Sequence, residues 1–328
     1  MGGSDATANP EAGADAAITT CAGPCLFASS LNHPFLMTSD ANNVYWTEYG
    51  TAQASADGAV KACPVSGCPA SGPIVYASNQ SNPQGIAVDA QNIYWGTTGS
   101  IFWCPLTGCV KGPQALANPQ TPYGVAVGGG YVYWVDQSDQ SVHRALAPNG
   151  TDEVLYNGSD VAFVFPEQCA VDSQYLYLTD DYADVFRVPV TGGEPTQIAQ
   201  GTESGGWPVA LDTAAVYYGQ IGGIYRALKT STKGGIAINT TVQDVDGLYA
   251  DSTGYIYWSD WGSSTANDGT VGKVLSDGGM ATVLASSLVT PEAVTVSGPY
   301  VFWLSNGTLD TKTSAGEPNS GALYRLPK

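Results

Sequence analysis

Short apolar segments, separated by clusters of Gly, Asn, Asp and Ser, run along the chain from about residue 25 to its end. The clearest marker among them is a pair of aromatic or large apolar residues that occurs seven times, at intervals of 39 to 49 residues. The pairs are Tyr45-Trp46, Tyr94-Trp95, Tyr133-Trp134, Tyr177-Leu178, Tyr217-Tyr218, Tyr257-Trp258 and Phe302-Trp303. A recurrence of this length indicates a repeated supersecondary unit.

The best-formed repeat spans residues 84–117 and predicts four short strands. Apolar runs occupy 84–89, 93–95, 101–104 and 114–117, and turn residues separate them. Four strands per repeat of about 40 residues is typical of a propeller blade. The sequence therefore predicts an all-β fold, a seven-bladed β-propeller with four-stranded antiparallel blades.

The two ends of the chain predict how the ring closes. Residues 25–31 (CLFASSL) copy the fourth strand of the sixth repeat, 283–288 (VLASSL), and residues 322–326 copy a third strand. The N-terminal strand is therefore expected to join the C-terminal blade, beside residues 322–327, which removes an open sheet edge. We predict a flexible acidic tether over residues 1–20 and a single propeller domain over 21–328.

Seven cysteines predict short disulfides. Cys63–Cys68 and Cys104–Cys109 each enclose a Cys-Pro-x-x-Gly-Cys turn, and Cys21–Cys25 could also pair, which leaves Cys169 free. The alternative is a zinc site built from the two pairs of thiolates. Disulfides of this kind imply an oxidising compartment.

Several repeats carry an acid three residues after the first residue of the aromatic pair: Tyr257-Trp258-Ser259-Asp260, Tyr45-Trp46-Thr47-Glu48 and Tyr177-Leu178-Thr179-Asp180. These motifs resemble those of YWTD and NHL-like β-propellers, although the familiar YWTD receptors have six blades. The Cys-Pro-x-x-Gly-Cys hairpins resemble those of exported bacterial propeller proteins, commonly envelope lipoproteins of unknown role. The resemblance implies a secreted or cell-envelope location: outer-membrane-anchored, periplasmic or extracellular. Acids that recur between blades are interpreted as scaffold.

Composition and charge limit the classes of partner that the protein can bind. The net charge is −18 with only 11 Lys and Arg, which argues against nucleic acid as a partner. No stretch approaches the roughly 18–20 apolar residues of a membrane helix, so no transmembrane segment is expected. We expect a monomer.

The candidate site lies where each repeat enters its innermost strand. Aligned repeats are uniform except at one position per blade, which would form the rim of a central funnel. Gln84 occupies this position in the second blade, and the six candidate ligand-binding residues are Phe35, Tyr123, Glu167, Trp207, Asp246 and Glu292. Acids beside aromatic rings suit a glycan, a basic peptide or a protein. The alternative is that these rim positions are simply unconstrained.

The leading functional hypothesis is a non-catalytic binding or scaffold protein that uses the funnel face. Catalytic motifs are sparse: the two histidines, His33 and His143, belong to no recognised hydrolase or zinc-protease motif. The alternative is a metal-dependent, lactonase-like hydrolase with a cation held by carboxylates in the funnel. No cofactor is expected, apart from Ca²⁺ in the funnel as a less favoured alternative.

Overall fold

A computed structural model of the chain describes residues 23–51, 56–158, 163–201, 208–232, 234–263, 267–307 and 318–328. Over these ranges the chain forms 28 strands and no helix, so the described residues include no helix able to cross a membrane. The strands form seven antiparallel sheets of four, and the first strands of neighbouring sheets contact one another in a ring. The predicted seven-bladed β-propeller is confirmed.

Each blade runs from an innermost strand at the axis to an outermost strand at the rim of the disc. Blade one contains β2 (Pro34–Ser39), β3 (Asn43–Glu48), β4 (Gly58–Pro64) and β5 (Ile74–Gln80). Blade two contains β6 (Ile86–Val88), β7 (Asn92–Thr97), β8 (Ser100–Pro105) and β9 (Gln114–Ala117). Blade three contains β10 (Pro122–Gly128), β11 (Tyr131–Asp136), β12 (Ser141–Leu146) and β13 (Glu153–Tyr156). Blades four and five contain β14 (Cys169–Val171), β15 (Tyr175–Thr179), β16 (Val185–Pro189) and β17 (Thr196–Ala199); β18 (Val209–Leu211), β19 (Ala215–Gln220), β20 (Gly223–Leu228) and β21 (Ile236–Asn239). Blades six and seven contain β22 (Val245–Ala250), β23 (Tyr255–Asp260), β24 (Gly269–Leu275) and β25 (Thr282–Leu288); β26 (Pro291–Ser297), β27 (Tyr300–Ser305), β28 (Gly321–Pro327) and β1 (Cys25–Leu31).

The recurring aromatic pairs join each blade to both of its neighbours. Consecutive side chains of a strand point to opposite faces of the sheet. Tyr45 of β3 packs in the cluster between blades one and two, and Trp46 packs in the cluster between blades seven and one. Tyr94 and Trp95 repeat this arrangement one blade further on. The core is therefore a ring of apolar wedges between blades, and the period of the pairs is the period of the blades.

The N-terminal strand closes the ring as predicted. β1 pairs antiparallel with β28, from Cys25 opposite Arg325 to Leu31 opposite Gly321. Leu31 is 1% exposed and packs in the cluster shared by blades seven and one. The last blade is thus completed by residues from the start of the chain.

Two of the predicted disulfides are present, Cys63–Cys68 and Cys104–Cys109, with Cα atoms 4.8 and 5.2 Å apart. Their sulfurs are bonded to each other, so these four thiolates are not zinc ligands. Cys169 is a free cysteine, as expected. Cys21 and the tether over residues 1–20 lie outside the described residues, so the predicted Cys21–Cys25 pair stays a prediction.

Buried carboxylates fix the segments that enter the innermost strands. The Asp136 carboxylate accepts backbone N–H groups from Gln120 at 2.8 Å and Thr121 at 3.2 Å, just before β10. Asp260 does the same for Asp244 at 2.8 Å, just before β22. These acids correspond to the last position of the YWTD-like motif, and their bonds are consistent with the interpretation as scaffold.

Candidate functional site

The rim residues lie at the axial end of each blade, where the chain enters an innermost strand. Phe35, Tyr123, Asp246 and Glu292 are each the second residue of β2, β10, β22 and β26, and Glu167 precedes β14 by two residues. The remaining predicted residue, Trp207, lies outside the described residues. Five of the six candidates can therefore be placed, and all five stand at equivalent positions around the axis.

Tyr123 reaches from blade three across the funnel. Its ring packs edge-on against Phe35 of blade one, with centroids 5.9 Å apart. Burial raises the pKa of its phenol well above the usual value, and the negative charges of Glu167, Glu292 and Asp246 raise it further. These acids belong to blades four, seven and six. Tyr123 interacts electrostatically with acids of three blades and contacts the ring of Phe35 in a fourth, so it must lie near the axis. The structure therefore brings the five described candidates into one funnel mouth.

Glu167 has the smallest exposed surface of these acids. Its residue is 6% exposed, and its Oε2 atom is buried without a hydrogen-bond partner. Burial raises the pKa of the carboxyl to about 8, with the charges of Asp181 and Asp180 adding to the rise, and hydrogen bonding from Gln137 and Tyr123 offsets part of it. Glu167 is therefore mostly protonated at neutral pH, and it still lacks a partner for one oxygen.

Asp246 and Glu292 are two further buried carboxyls in the same mouth. Burial is the largest cause of the raised pKa of both groups, and the charge of Glu292 adds to the rise at Asp246. The amide of Asn306 donates a hydrogen bond to Glu292 Oε1, whereas Asp246 Oδ2 is buried without a partner. Two like-charged groups in a poorly solvated space resist ionising together.

No cation compensates this group of acids within the part of the chain that the structure describes. The ion pairs found there involve Glu48, Asp152, Glu153, Asp172 and Asp251, and none includes Glu167, Asp246 or Glu292. Buried acids without a cation avoid the cost of a buried charge by staying protonated, which is why the pKa values of these three carboxyls are raised. The described residues also contain no group of three or more His, Cys, Asp or Glu arranged to hold a metal ion.

Glycines after the rim residues let the innermost strands approach one another closely. A Cβ at Gly124 would lie 2.6 Å from the carbonyl oxygen of Glu167 and 2.8 Å from the amide nitrogen of Cys169. A Cβ at Gly85 would collide with the carbonyl oxygen of Tyr123. These contacts are closer than a methyl group tolerates, so glycine at these positions sets the spacing of the rim.

An axial cavity of about 330 Å³ lies directly below the mouth. Its walls include Met37, Val88, Val171 and Leu248 from four different innermost strands. Cys169 also lines it, and burial raises the pKa of this thiol to about 12, so the group stays protonated. The side chains of the funnel thus change from acidic at its mouth to uncharged below.

A Ser–His–Asp array in blade three has the distances of a catalytic triad but not its accessibility. Ser141 Oγ lies 2.6 Å from His143 Nε2, and His143 Nδ1 lies 2.7 Å from Asp152 Oδ1. The Ser141 residue is only 1% exposed, and its hydroxyl also hydrogen-bonds to Asp139. The serine is enclosed within its own hairpin, where no substrate could reach it.

Two residues that contribute to this face were not among the predicted rim positions. Asn306 is the partner of Glu292, and Phe165 is 51% exposed with a φ of 49°. Both lie in irregular segments between strands, where repeat alignment gives no equivalent position in other blades. The only sequence signal for Phe165 is a large apolar residue in a polar loop close to a candidate site.

Comparison with known protein families and with curated proteins finds no match. Among solved structures, the fold is similar to one in the crystal structure of a nidogen/laminin complex, with a TM-score of 0.53 and 19% identity over 68% of this chain and 86% of that one. It is also similar to selenomethionine-substituted virginiamycin B lyase from Staphylococcus aureus, with a TM-score of 0.68 and 14% identity over 93% of this chain and 98% of that one. At such identities the similarity shows the propeller fold and leaves function to be argued from the site.

Proposed function

We propose that the protein is a non-catalytic binding protein, secreted or held at the cell envelope, that takes its ligand at the funnel mouth. The two disulfides of the described residues support an oxidising, extracellular type of environment. The Cys-Pro-x-x-Gly-Cys hairpins, similar to those of exported bacterial propellers, favour the envelope. The ligand classes that suit acids beside aromatic rings are a glycan, a basic peptide or a protein.

One observation carries this proposal: the buried Glu167 carboxyl, which has an oxygen without a partner at the centre of the fold. Buried polar atoms are nearly always satisfied in proteins, because an unmade hydrogen bond costs about 1–3 kcal/mol. Structural acids of the same propeller, such as Asp136, obey this rule with several hydrogen bonds. Glu167 departs from it at the position where ligands reach a propeller.

A catalytic function receives less support from the geometry. The triad-like array of blade three is enclosed, and the described carboxyls of the mouth are not grouped as metal ligands. The similar structures include a protein complex and a lyase, so the fold favours neither class. The hydrolase alternative therefore has no residue of its own in the described parts of the chain, and we derive no reaction step for it.

The test compares three proteins on arrays of glycans and of Lys- or Arg-containing peptides: the parent, Glu292→Gln in the mouth and Asp277→Asn in an exposed turn at the opposite end of blade six. We expect a probe that binds the parent and Asp277→Asn equally well and Glu292→Gln at least several-fold more weakly. Probes that bind all three proteins alike would place the binding surface elsewhere and overturn the proposal.

A further inference from the structure

The chemistry of the funnel mouth narrows the ligand class, on the assumption that the mouth is the binding site. Three carboxyls of blades four, six and seven gather near Tyr123, and no lysine or arginine of the described residues pairs with them. Two of their oxygens, Glu167 Oε2 and Asp246 Oδ2, are buried without hydrogen-bond partners. What such a site lacks is a donor of several hydrogen bonds that also carries positive charge.

Aromatic rings border the same acids. Phe35 lies between Tyr123 and Tyr49, with both ring centroids 5.9 Å from its own. Ring faces attract organic cations, and ring edges pack against the alkyl groups that carry them. A strongly hydrated metal ion gains little from such rings, whereas an alkylammonium or guanidinium group gains from both the rings and the carboxyls.

Exposed aromatic side chains extend this surface outward in blade four. Phe165 and Tyr182 are 51% and 54% exposed. Their loops are joined by a hydrogen bond from the Asp181 amide to the Val164 carbonyl at 3.1 Å, so the two rings stand in neighbouring segments beside Glu167. They offer apolar contact to whatever carries the cationic group into the mouth.

The geometry points to a binding site for a primary ammonium or guanidinium group on an alkyl stem, which enters the funnel mouth head first and is held by Glu167 against the rings of Phe35 and Tyr123, with Asp246 and Glu292 adding negative charge nearby. The cavity below has no charged side chain in its wall, so a cation that moved beyond the carboxyls would lose every charged partner. Such a group ends a Lys or Arg side chain of a peptide, and it also occurs in free amines.

Binding of such a cation should release a proton. The groups that face Glu167 are Tyr123 and Gln137 of blade three and Asp180 and Asp181 of blade four, and none of them is basic. With a pKa of about 8, Glu167 enters the reaction as the neutral acid at pH 7. The cation favours the carboxylate, so the O–H bond of the acid breaks and the proton leaves to solvent. Affinity should then rise by about tenfold per pH unit below pH 8 for one proton released.

The experiment is titration calorimetry of the intact chain with n-hexylamine and with the peptide acetyl-Gly-Lys-Gly-amide, at pH 6, 7 and 8. Phosphate and HEPES buffers at pH 7 count the protons released, because the two buffers differ in ionisation enthalpy and neither contains a primary ammonium group. n-Hexanol and acetyl-Gly-norleucine-Gly-amide are the neutral controls for the two alkyl stems, and CaCl₂, titrated in HEPES, is the control for charge alone. Glu167→Gln and Asp277→Asn are titrated in the same way.

We expect at least one cationic probe to bind more tightly as the pH rises, with proton release, and to lose most of its affinity and pH dependence in Glu167→Gln only. Tighter binding of the peptide than of hexylamine would identify a protein or peptide as the source of the group, and the reverse order a free amine. Equal binding of the neutral probes, preference for Ca²⁺, or no binding of either cation would overturn the inference. A glycan that depends on Glu292 would still leave the proposed function standing.

Discussion

At the scale of single residues, environment separates two kinds of acid that look alike in the sequence. Asp136 accepts hydrogen bonds from backbone and hydroxyl groups, and these bonds hold the pKa of its carboxyl below the usual value. Glu167 is similarly buried, and burial raises its pKa to about 8 because the hydrogen bonds from Gln137 and Tyr123 offset only part of the rise. The first acid stabilises the fold as a carboxylate, whereas the second is costly to ionise and is available to a ligand.

This difference predicts how stability responds to pH at Glu167. Its pKa is about 8 in the folded chain and about 4.3 for an unperturbed glutamate, so between these values the folded state holds a proton that the unfolded state has lost. The contribution to stability is fully present below about pH 4 and is lost as the pH rises through 8. Relative to the parent, Glu167→Gln should therefore gain on the order of 4 kcal/mol in free energy of unfolding between pH 5 and pH 9.

Urea unfolding of both proteins at pH 5, 7 and 9 measures this gain. Glu194→Gln, an exposed residue in a turn of the same blade, is the matched control and should follow the parent at every pH. A difference between Glu167→Gln and the parent that stays constant with pH would show that this carboxyl ionises as freely as one in water.

How far sequence predicts the site depends on whether a residue belongs to the repeat. The rim positions recur once per blade, so the candidates of five blades could be placed at one ring by alignment alone. The protonation states of these residues could not be predicted from the sequence, because the pKa of Glu167 depends on how closely blades three and four approach each other. Asn306 and Phe165 were missed because loops between strands have no counterpart in other blades.

At the scale of strands, the features that repeat are those that pack blades together. The two side chains of each Tyr-Trp pair pack in the two apolar clusters on either side of their blade, because consecutive residues of a strand point to opposite faces of the sheet. Both faces are buried, so the strands read as continuous apolar runs, and their number and order could be predicted correctly. The exact bounds of the strands could not be predicted from the sequence. Strands β6, β14 and β18 have only three residues each, although the same apolar pattern occurs in longer innermost strands.

Glycine spacing in the innermost strands gives a prediction about both fold and site. Gly124→Ala would drive a methyl group against the backbone of Glu167 and Cys169, and no flexible side chain is present to move aside. We expect the free energy of unfolding to fall by about 1–3 kcal/mol, the usual range for overpacking, with displacement of Glu167 from the mouth. Gly23→Ala, where nothing lies within 4 Å of the added methyl, is the control and should be neutral.

Chemical denaturation measures the loss of stability, and a difference in near-ultraviolet circular dichroism between Gly124→Ala and Gly23→Ala reports a change in the packing of aromatic side chains. A Gly124→Ala protein as stable as Gly23→Ala would mean that the innermost strands have room to separate, and that the rim is less tightly defined than its backbone contacts indicate.

At the scale of the whole molecule, the ring is closed by a single strand from the distant end of the chain. β1 supplies the fourth strand of blade seven, and its Leu31 fills the wedge between blades seven and one. A funnel mouth built from blades one, three, four, six and seven requires all of them to stay in register around the axis. Closure is therefore the link between the stability of the propeller and the geometry of the site.

Deletion of residues 1–31 tests this closure. The shortened chain loses the buried Leu31 side chain, and it exposes the backbone groups of β28 as a new sheet edge. Loss of a buried leucine costs about 2–5 kcal/mol, so we expect a lower midpoint of urea unfolding, together with self-association through the free edge. Deletion of residues 1–20 is the control, because it keeps β1, Cys21 and Cys25, and that protein should match the parent.

Light scattering and unfolding curves of the three proteins decide the question. A protein without residues 1–31 that stays monomeric and unfolds at the parental midpoint would show that blade seven is stable with three strands, and that the ring does not depend on β1.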